Sequence, residues 1–424
     1  MLAVPATLEA WLTYIEAQHS RPIDLGLDRV GRVLSALGLG SPMRVITVGG
    51  TNGKGSTCAM LEAILHAAGY RVGLYTSPHL LRYNERVRIN LTEASDDALC
   101  GAFAAVEAAR GEVPLTYFEY ATLAAWQLFS GSNLDVAILE VGLGGRLDAV
   151  NAIEPDCSIV TGVAMDHMDY LGDTREAIGF EKAGIFRSGK PAVCGDPEPP
   201  SSLVAHAMRI GADLRIQGRD YGFTGDKNQW SFVGKDSRRN SLAYPALRGA
   251  NQLLNASTVL AALECLAEVL PVPMQAVRQG LMTVELPARF QILPGKPAVV
   301  LDVAHNPQAA AVLAENLMNM GFFPETWAVC GMLADKDIAG SLVYLAPRVD
   351  HWLLCQLPGP RAASPDVLEK ALRDAGSSAT FEHFETPELA FASARSRAGD
   401  GDRIVAFGSF LTVAGAMRAN AARR

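Results

Sequence analysis

The stretch Val45 to Ser56, VITVGGTNGKGS, holds residues whose order suits phosphate chemistry. Val45-Ile46-Thr47-Val48 is short, apolar and β-branched, as a buried strand requires. It breaks into Gly49-Gly50-Thr51-Asn52-Gly53-Lys54-Gly55-Ser56, and Thr57 to Ala68 reads on as a helix. Strand, glycine-rich turn and helix together aim backbone N–H groups and a helix N-terminus at an anion. Lys54 adds a point charge, and a hydroxyl of Ser56 or Thr57 can reach Mg²⁺. The spelling departs from the common P-loop: G-x-x-x-x-G-K-[ST] would put glycine where Val48 stands and Ser or Thr where Gly55 stands. A glycine-rich β-turn before a helix is the plain alternative for such a loop taken alone.

Three further places carry polar residues at the ends of apolar strands, where ligands collect in open α/β sheets. Glu140 sits in an otherwise apolar run and is followed by Gly142-Leu143-Gly144-Gly145-Arg146-Leu147-Asp148. Asp166-His167-Met168-Asp169 follows the strand ending at Thr161, and Asp302-Val303-Ala304-His305-Asn306-Pro307 follows a strand near the C-terminus. Glu140, His167 and a P-loop hydroxyl form a sensible divalent-metal set, since Mg²⁺ takes carboxylate, hydroxyl, water and phosphate oxygens. His167 alone would read as a surface or capping histidine. Glu140 is harder to dismiss, because an unpaired carboxylate is expensive to bury. Lys182, in EKAGIFR, reads from the sequence only as a salt-bridge partner.

The elements that must hold these residues alternate. Helices are expected at Leu8–Ala17, Asp28–Leu37, Ser95–Arg110 (with a serine N-cap) and Leu115–Ser130, and strands at Arg71–Thr76, Asp135–Val141 and Cys157–Thr161. Pro22 to Leu27 is a loop, and so is SPHLLRYNERVRIN. Such alternation predicts a mostly parallel sheet with helices on both faces. From about Gly211 to Pro245 a small β excursion is expected; helices return at Asn251–Val269 and Met274–Met282. The first domain ends near Leu286-Pro287, and a second α/β alternation follows. At 424 residues, two domains are expected. Apolar content of 49% with 19% charged residues describes a well-buried globular protein. A net charge of −8 and the lack of a dense Lys/Arg stripe argue against nucleic acid as a partner. Seven scattered cysteines without a C-x-x-C pair suit reduced thiols in a cytoplasmic protein. Met1 to Ala10 lacks the pattern of a signal peptide, and no apolar run reaches the roughly 18 residues of a membrane span.

Taken together, GTNGKGS, SPHLLRYNERV, LEVGLGGRLDAVN, DHMDYLG, EKAGIFR, LPARFQ, DVAHNP, GMLADKDI and AFGSFLTV resemble, in order and spacing, the folylpolyglutamate synthases. The nearest form is the bifunctional bacterial dihydrofolate synthase/folylpolyglutamate synthase family, within the Mur ligase superfamily. The resemblance runs from about residue 20 to the C-terminus. It implies an N-terminal P-loop-type ATPase domain with a mostly parallel sheet, residues 1–286, and a smaller C-terminal Rossmann-like α/β glutamate ligase domain, residues 287–424. It implies an ATP-dependent amide ligase acting on dihydropteroate, tetrahydrofolate and L-glutamate through an acyl phosphate. ATP and Mg²⁺ would be required, with a second Mg²⁺ and a monovalent cation such as K⁺ also within the expectation.

Carried over by matching motif, Thr51, Asn52, Gly53 and Lys54, with Gly55 and Ser56, would hold the ATP phosphates. Ser56, Glu140 and His167 would be the metal ligands, and Lys54, His167 and Lys182 would act in catalysis. Lys182 matches a lysine that is carbamylated in the family. Asn255, Arg289 and Asp302 would contact the adenosine or phosphates, and His305 and Ser409 the glutamate. Ile23, Asp24, Leu25 and Gly26, Thr116, Tyr117, Phe118 and Glu119, and Arg146 would line the pterin side, where amide or acidic groups suit the ring edge and aromatics its face. A monomer with no nucleic-acid or membrane partner is implied. DHMDYLG carries Met168 and Tyr170 where relatives often have threonine and tryptophan. A folylpolyglutamate synthase without dihydropteroate activity and another Mur-type ligase are the neighbouring readings. A P-loop nucleotide switch would leave Glu140, His167 and Asp302 unexplained, and no N-K-x-D motif is present. A silent binding protein would be expected to have lost Lys54, Glu140 or Lys182.

Overall fold

A computed structural model describes residues 5–21, 23–40, 43–226 and 228–422. Pro22, placed in a loop by the sequence, and residues 1–4 of the N-terminal stretch lie outside them. The chain forms two compact units, passing between them at Val284 and Glu285; the short pieces Ala164–Gly172 and Leu247–Gln252 group with the second unit.

The first unit is built on strands β1 (Arg44–Gly49), β2 (Val72–Tyr75), β3 (Val87–Ile89), β4 (Thr92–Glu93), β5 (Val136–Glu140), β6 (Cys157–Val160), β7 (Pro191–Cys194) and β8 (Asp213–Ile216). They form one sheet in the order β4-β3-β2-β5-β1-β6-β7-β8. Every pairing from β2 to β8 is parallel, and β3 and β4 add an antiparallel hairpin at the edge. Such strands are buried on both faces, which is why β1, β5 and β6 read as continuous apolar runs without alternation. Beside β1 runs the helix Lys54–Ala67, buried from Ser56 to Leu65. Its one interior charge, Glu62, is fully buried and paired with Arg88 of β3, as a buried carboxylate requires. The expected β excursion is a three-stranded antiparallel sheet, β9 (Gly222–Gly225), β10 (Trp230–Val233) and β11 (Arg238–Leu242).

The second unit holds β12 (Gln291–Leu293), β13 (Ala298–Leu301), β14 (Thr326–Cys330), β15 (His351–Cys355), β16 (Thr380–Phe384) and β17 (Arg403–Phe407) in the order β12-β13-β17-β14-β15-β16. Only β12 is antiparallel to its neighbour. Val300, Ala328, Leu354 and Val405 from the strands meet Leu313 and Leu317 of the helix Pro307–Asn319 and Leu368 and Leu372 of the helix Pro365–Asp374 in its core. The last strand returns between β13 and β14, so the chain order reverses there, and the loops after those three strands converge. Gly408 N–H donates to Ala304 O at 3.0 Å, and Thr412 Oγ1 to Gly331 O at 2.8 Å. Among the described residues no helix is long and apolar enough to cross a membrane.

Candidate active site

In the first unit the glycine-rich turn leaves the end of the buried strand β1 and feeds the helix, which starts at Lys54, three residues earlier than the apolar pattern suggests. Thr161, just past the neighbouring β6, holds the turn from the side. Its N–H donates to Gly49 O at 3.0 Å and its Oγ1 to Asn52 O at 2.7 Å, while Thr51 N–H donates to Gly162 O at 2.8 Å. Gly50 has φ +138° and a Cβ there would lie 2.0 Å from Thr161 Oγ1; Gly53 has φ +89° and a Cβ would lie 2.6 Å from Asn255 Oδ1. Both positions need glycine for backbone conformation and for room. The buried Asn255 thus stands against the glycine-rich turn. Lys54 Nζ donates to Gly50 O and Thr51 O, both at 3.2 Å, and Ser56 is buried in the first turn behind Gly55. Lys182, 4% exposed at the end of the helix Arg175–Ala183, reaches the same turn: its Nζ donates to Gly50 O at 2.9 Å.

Glu140 ends β5 opposite Val48 of β1 and is 5% exposed. Its carboxylate accepts the N–H of Ser77 at 3.3 Å, because β2 and β5 run parallel and end side by side. Ser77 is a site candidate that the sequence reasoning missed; the signal available was a serine directly after an apolar strand. Asp148 is another. Its buried carboxylate accepts N–H groups from Gly142, Leu143 and Val150 and folds the glycine-rich turn after Glu140. Burial pushes this carboxyl up to about 6, with those N–H groups and the Lys54 charge pulling the other way. Glu140 and Ser56 carry hard oxygens of the kind Mg²⁺ takes, so their donor chemistry fits that ion. Among the described residues no group of three His, Cys, Asp or Glu is assembled for a metal ion. Ser56 and Glu140 belong to the first unit and His167 to the second.

The residues expected on the pterin side come together within the first unit. Gly26 N–H donates to Leu147 O at 3.1 Å, tying the loop 23–26 to the segment carrying Arg146. Thr116 and Glu119 form a capping box at the start of the helix Tyr117–Ser130, and Glu119 is 3% exposed. Phe118 packs against Gly142 and Tyr75. The Arg86 guanidinium lies over the Tyr117 and Tyr83 rings, with its Nε donating to His79 Nδ1. Arg146 is spoken for: Nε and Nη2 donate to Glu181 Oε1 at 3.1 and 2.8 Å, and its guanidinium lies over Phe180.

In the second unit Asp302 follows β13. Burial pushes its carboxyl up, but it accepts N–H groups from Phe290 and Ala304, both at 2.8 Å, with the Arg289 charge nearby. The Arg289 guanidinium lies over the Phe410 ring, 5.2 Å from its centroid. Ser409 caps the helix Phe410–Ala421, accepting from Leu411 N–H at 3.2 Å. His305 Nδ1 lies 2.8 Å from Val303 O, which fixes that nitrogen as the donor and leaves Nε2 facing Asp166 Oδ2 at 3.6 Å. Asp166 is the centre of a cluster. Burial alone would raise its carboxyl, but His305, His167 and Lys336 outweigh it and hold Asp166 well below the usual carboxylate range. Lys336 Nζ stands 2.7 Å from Asp166 Oδ1 and 3.5 Å from His167 Nε2. Lys336 comes from the GMLADKDI motif and was not singled out from the sequence, where nothing links it to a residue 170 positions earlier.

The chain matches the Mur ligase middle domain over residues 48–196 and the Mur ligase glutamate ligase domain over residues 288–410. A solved structure of Escherichia coli FolC in complex with DHPP and ADP is similar at a TM-score of 0.94 and 45% identity, covering 100% of both chains. A bifunctional folylpolyglutamate synthase/dihydrofolate synthase crystallised with Mn, AMPPNP and L-glutamate has a TM-score of 0.91 at 46% identity, covering 99% of this chain and 100% of that one. The dihydrofolate synthase/folylpolyglutamate synthase of Escherichia coli is 46% identical over 418 residues, 98% of this chain and 96% of that protein. Identity at that level along nearly the whole of both chains leaves one conclusion: the protein belongs to the dihydrofolate synthase/folylpolyglutamate synthase family of Mur-type, ATP-dependent ligases.

Proposed function

We propose that the protein joins the amine of L-glutamate to pterin-borne carboxylates at the expense of ATP, converting dihydropteroate to dihydrofolate and extending tetrahydrofolate and folylpolyglutamates. A carboxylate is a poor electrophile, because attack on it would have to expel an oxide. Transfer of the γ-phosphoryl group to the carboxylate oxygen gives an acyl phosphate and ADP. The glutamate amine then adds to the acyl carbon, and collapse of the adduct expels phosphate and leaves the amide.

In this reading Thr51 to Ser56 hold the phosphates, with Lys54 opposing the charge that develops on the transferred group. Ser56, Glu140 and His167 are the residues that would hold Mg²⁺, whose chemistry would be to polarise the phosphoryl group and screen its charge. Ser77, whose N–H touches the Glu140 carboxylate, is the alternative hydroxyl donor. Asn255, Arg289 and Asp302 serve the nucleotide, and His305 and Ser409 the glutamate. Ile23 to Gly26, Thr116 to Glu119 and Arg146 line the pterin side. Lys182, as a carbamate, would present a carboxylate instead of a cation to the phosphate loop. We assign ATP binding to residues 1–286 and glutamate ligation to 287–424, in a monomeric cytoplasmic enzyme whose partners are small molecules.

The observation that carries this reading is the 2.9 Å contact from Lys182 Nζ to Gly50 O. A lysine remote in sequence, in the motif that the resemblance ties to catalysis, meets the phosphate loop. The test is phosphate release from ATP and Mg²⁺ by purified protein, with dihydropteroate and tetrahydrofolate offered separately. Release with both, dependent on L-glutamate, is expected. Release with tetrahydrofolate alone would reduce the assignment to a folylpolyglutamate synthase, and no release with either would overturn it.

A further inference from the structure

We propose that Arg29 is a positioning residue for the pterin substrate, a single guanidinium that sets the loop 23–26 against the start of the helix Tyr117–Ser130. The inference rests on the assignment of those two segments to the pterin side. Arg29 lies in the first turn of the helix Asp28–Leu37. Its Nη1 donates to Asp24 Oδ2 and its Nη2 to Asp24 O, both at 2.6 Å. On its other edge Nε stands 3.2 Å from both Glu119 carboxylate oxygens, and Nη2 3.1 Å from Oε1. Among the described residues its hydrogen bonds go to Asp24 and Glu119 alone.

The geometry needs arginine. Five contacts leave one planar group in two directions, a pattern that the rigid five-donor fork can satisfy and a lysine ammonium cannot. Glu119 is almost completely buried and also accepts Thr116 N–H at 2.8 Å, so its carboxylate is fixed and makes a firm anchor. Asp24 is less enclosed, its side chain 28% exposed in a loop. Besides Arg29 it has His19, whose Nε2 is 3.4 Å away, and Arg21 at 3.9 Å, the latter largely exposed. The farther end of the loop is held by Gly26 N–H on Leu147 O. Arg29 therefore fixes the near end and Leu147 the far end, and the loop is ordered before the substrate arrives. Preordering of this kind lowers the cost of binding without touching the reacting atoms.

The test compares full-length wild type and Arg29→Lys in steady-state assays, with the thermal unfolding midpoint and hydrogen exchange of both followed in parallel. Arg29→Lys keeps the charge beside Glu119, so the fold is retained while the fork is lost. The expected result is a KM for dihydropteroate and tetrahydrofolate raised about tenfold, an effect of lost preordering. The kcat and the KM values for ATP and glutamate stay in place. Faster exchange is expected in the peptide spanning 20–27 and no change in the peptide spanning 49–57. An unmoved pterin KM would overturn the proposal. So would a general loss, in which kcat falls and all four KM values rise together. Wild-type protein inert toward both pterins would instead remove the functional reading on which the proposal stands, and the proposal with it.

Discussion

The Gly50 carbonyl oxygen receives two lysine side chains, Lys54 at 3.2 Å and Lys182 at 2.9 Å. Lys54 adds positive charge to a turn already lined with backbone N–H groups, an arrangement that favours an incoming polyphosphate, whereas Lys182 in its proposed carbamate form would bring a carboxylate to the same turn. The two contributions differ. Lys54 sits in the turn itself, whereas Lys182 approaches from a separate helix and can be altered without rebuilding the loop. Lys182→Ala is expected to lower turnover about a hundredfold or more, the scale of losing one preorganised group beside the reacting phosphate. ATP affinity, measured by equilibrium titration, should be largely retained. Unchanged turnover would remove Lys182 from the mechanism. Lys54 was legible in the sequence because strand, glycines and lysine are contiguous. Lys182 was legible only through the family resemblance of its motif, since the fold alone brings it back to Gly50. Ser77 and Lys336 were hidden for the same reason: each acquires its partner, Glu140 or Asp166, through packing alone.

At the scale of elements, Glu107 joins three helices of the first unit. It lies in the helix Asp96–Arg110 and accepts from Tyr14 Oη of the helix Leu8–Glu16 and from Tyr120 Oη of the helix Tyr117–Ser130, both at 2.8 Å. Arg110 Nε and Nη2 add contacts at 2.6 and 2.7 Å. Burial alone would raise this carboxyl; the hydrogen bonds from Arg110, Tyr120 and Tyr14 outweigh it and hold Glu107 below the usual carboxylate range. A depressed folded-state pKa stabilises the fold above the unfolded value, about 4.3, and that stabilisation is lost as pH falls through the folded-state value. Glu107→Gln should therefore destabilise the protein at pH 7 by about 1 kcal/mol, allowing for partial solvent exposure. Thermal unfolding as a function of pH should show the gap to wild type closing below about pH 4. A gap independent of pH would contradict the charge argument. Most elements here followed from periodicity and caps, such as Ser95 before its helix, whereas Thr116, read as part of a helix from Leu115, is itself the cap of the next one. The hairpin β3–β4 did not, and the sequence suggests a loop there. Its strands are three and two residues long, too short to show a period, and its turn uses Asn90-Leu91 at φ +51° and +66°. That backbone usually announces itself by Asn-Gly, and Leu91 gives no such signal.

At the scale of the whole molecule, two α/β units each gather polar residues at the carboxyl ends of their parallel strands, around β1 in the first and around the β13–β17–β14 reversal in the second. The alternation of strand and helix made this class of fold legible. It could not reveal that β5 enters between β1 and β2, or that β17 returns between β13 and β14, because insertion order is set by tertiary packing. Nor could it assign Ala164–Gly172 to the second unit; Asp166 does that through Lys336, His305 and Asn306. In the proposed reaction ATP activates a carboxylate for attack by glutamate. Dihydropteroate labelled with ¹⁸O in both carboxylate oxygens, incubated with the protein, ATP, Mg²⁺ and L-glutamate, tests it most directly. The acyl phosphate route predicts one ¹⁸O in each inorganic phosphate released and one retained in the amide carbonyl. Phosphate free of ¹⁸O, formed alongside the glutamyl product, would contradict it.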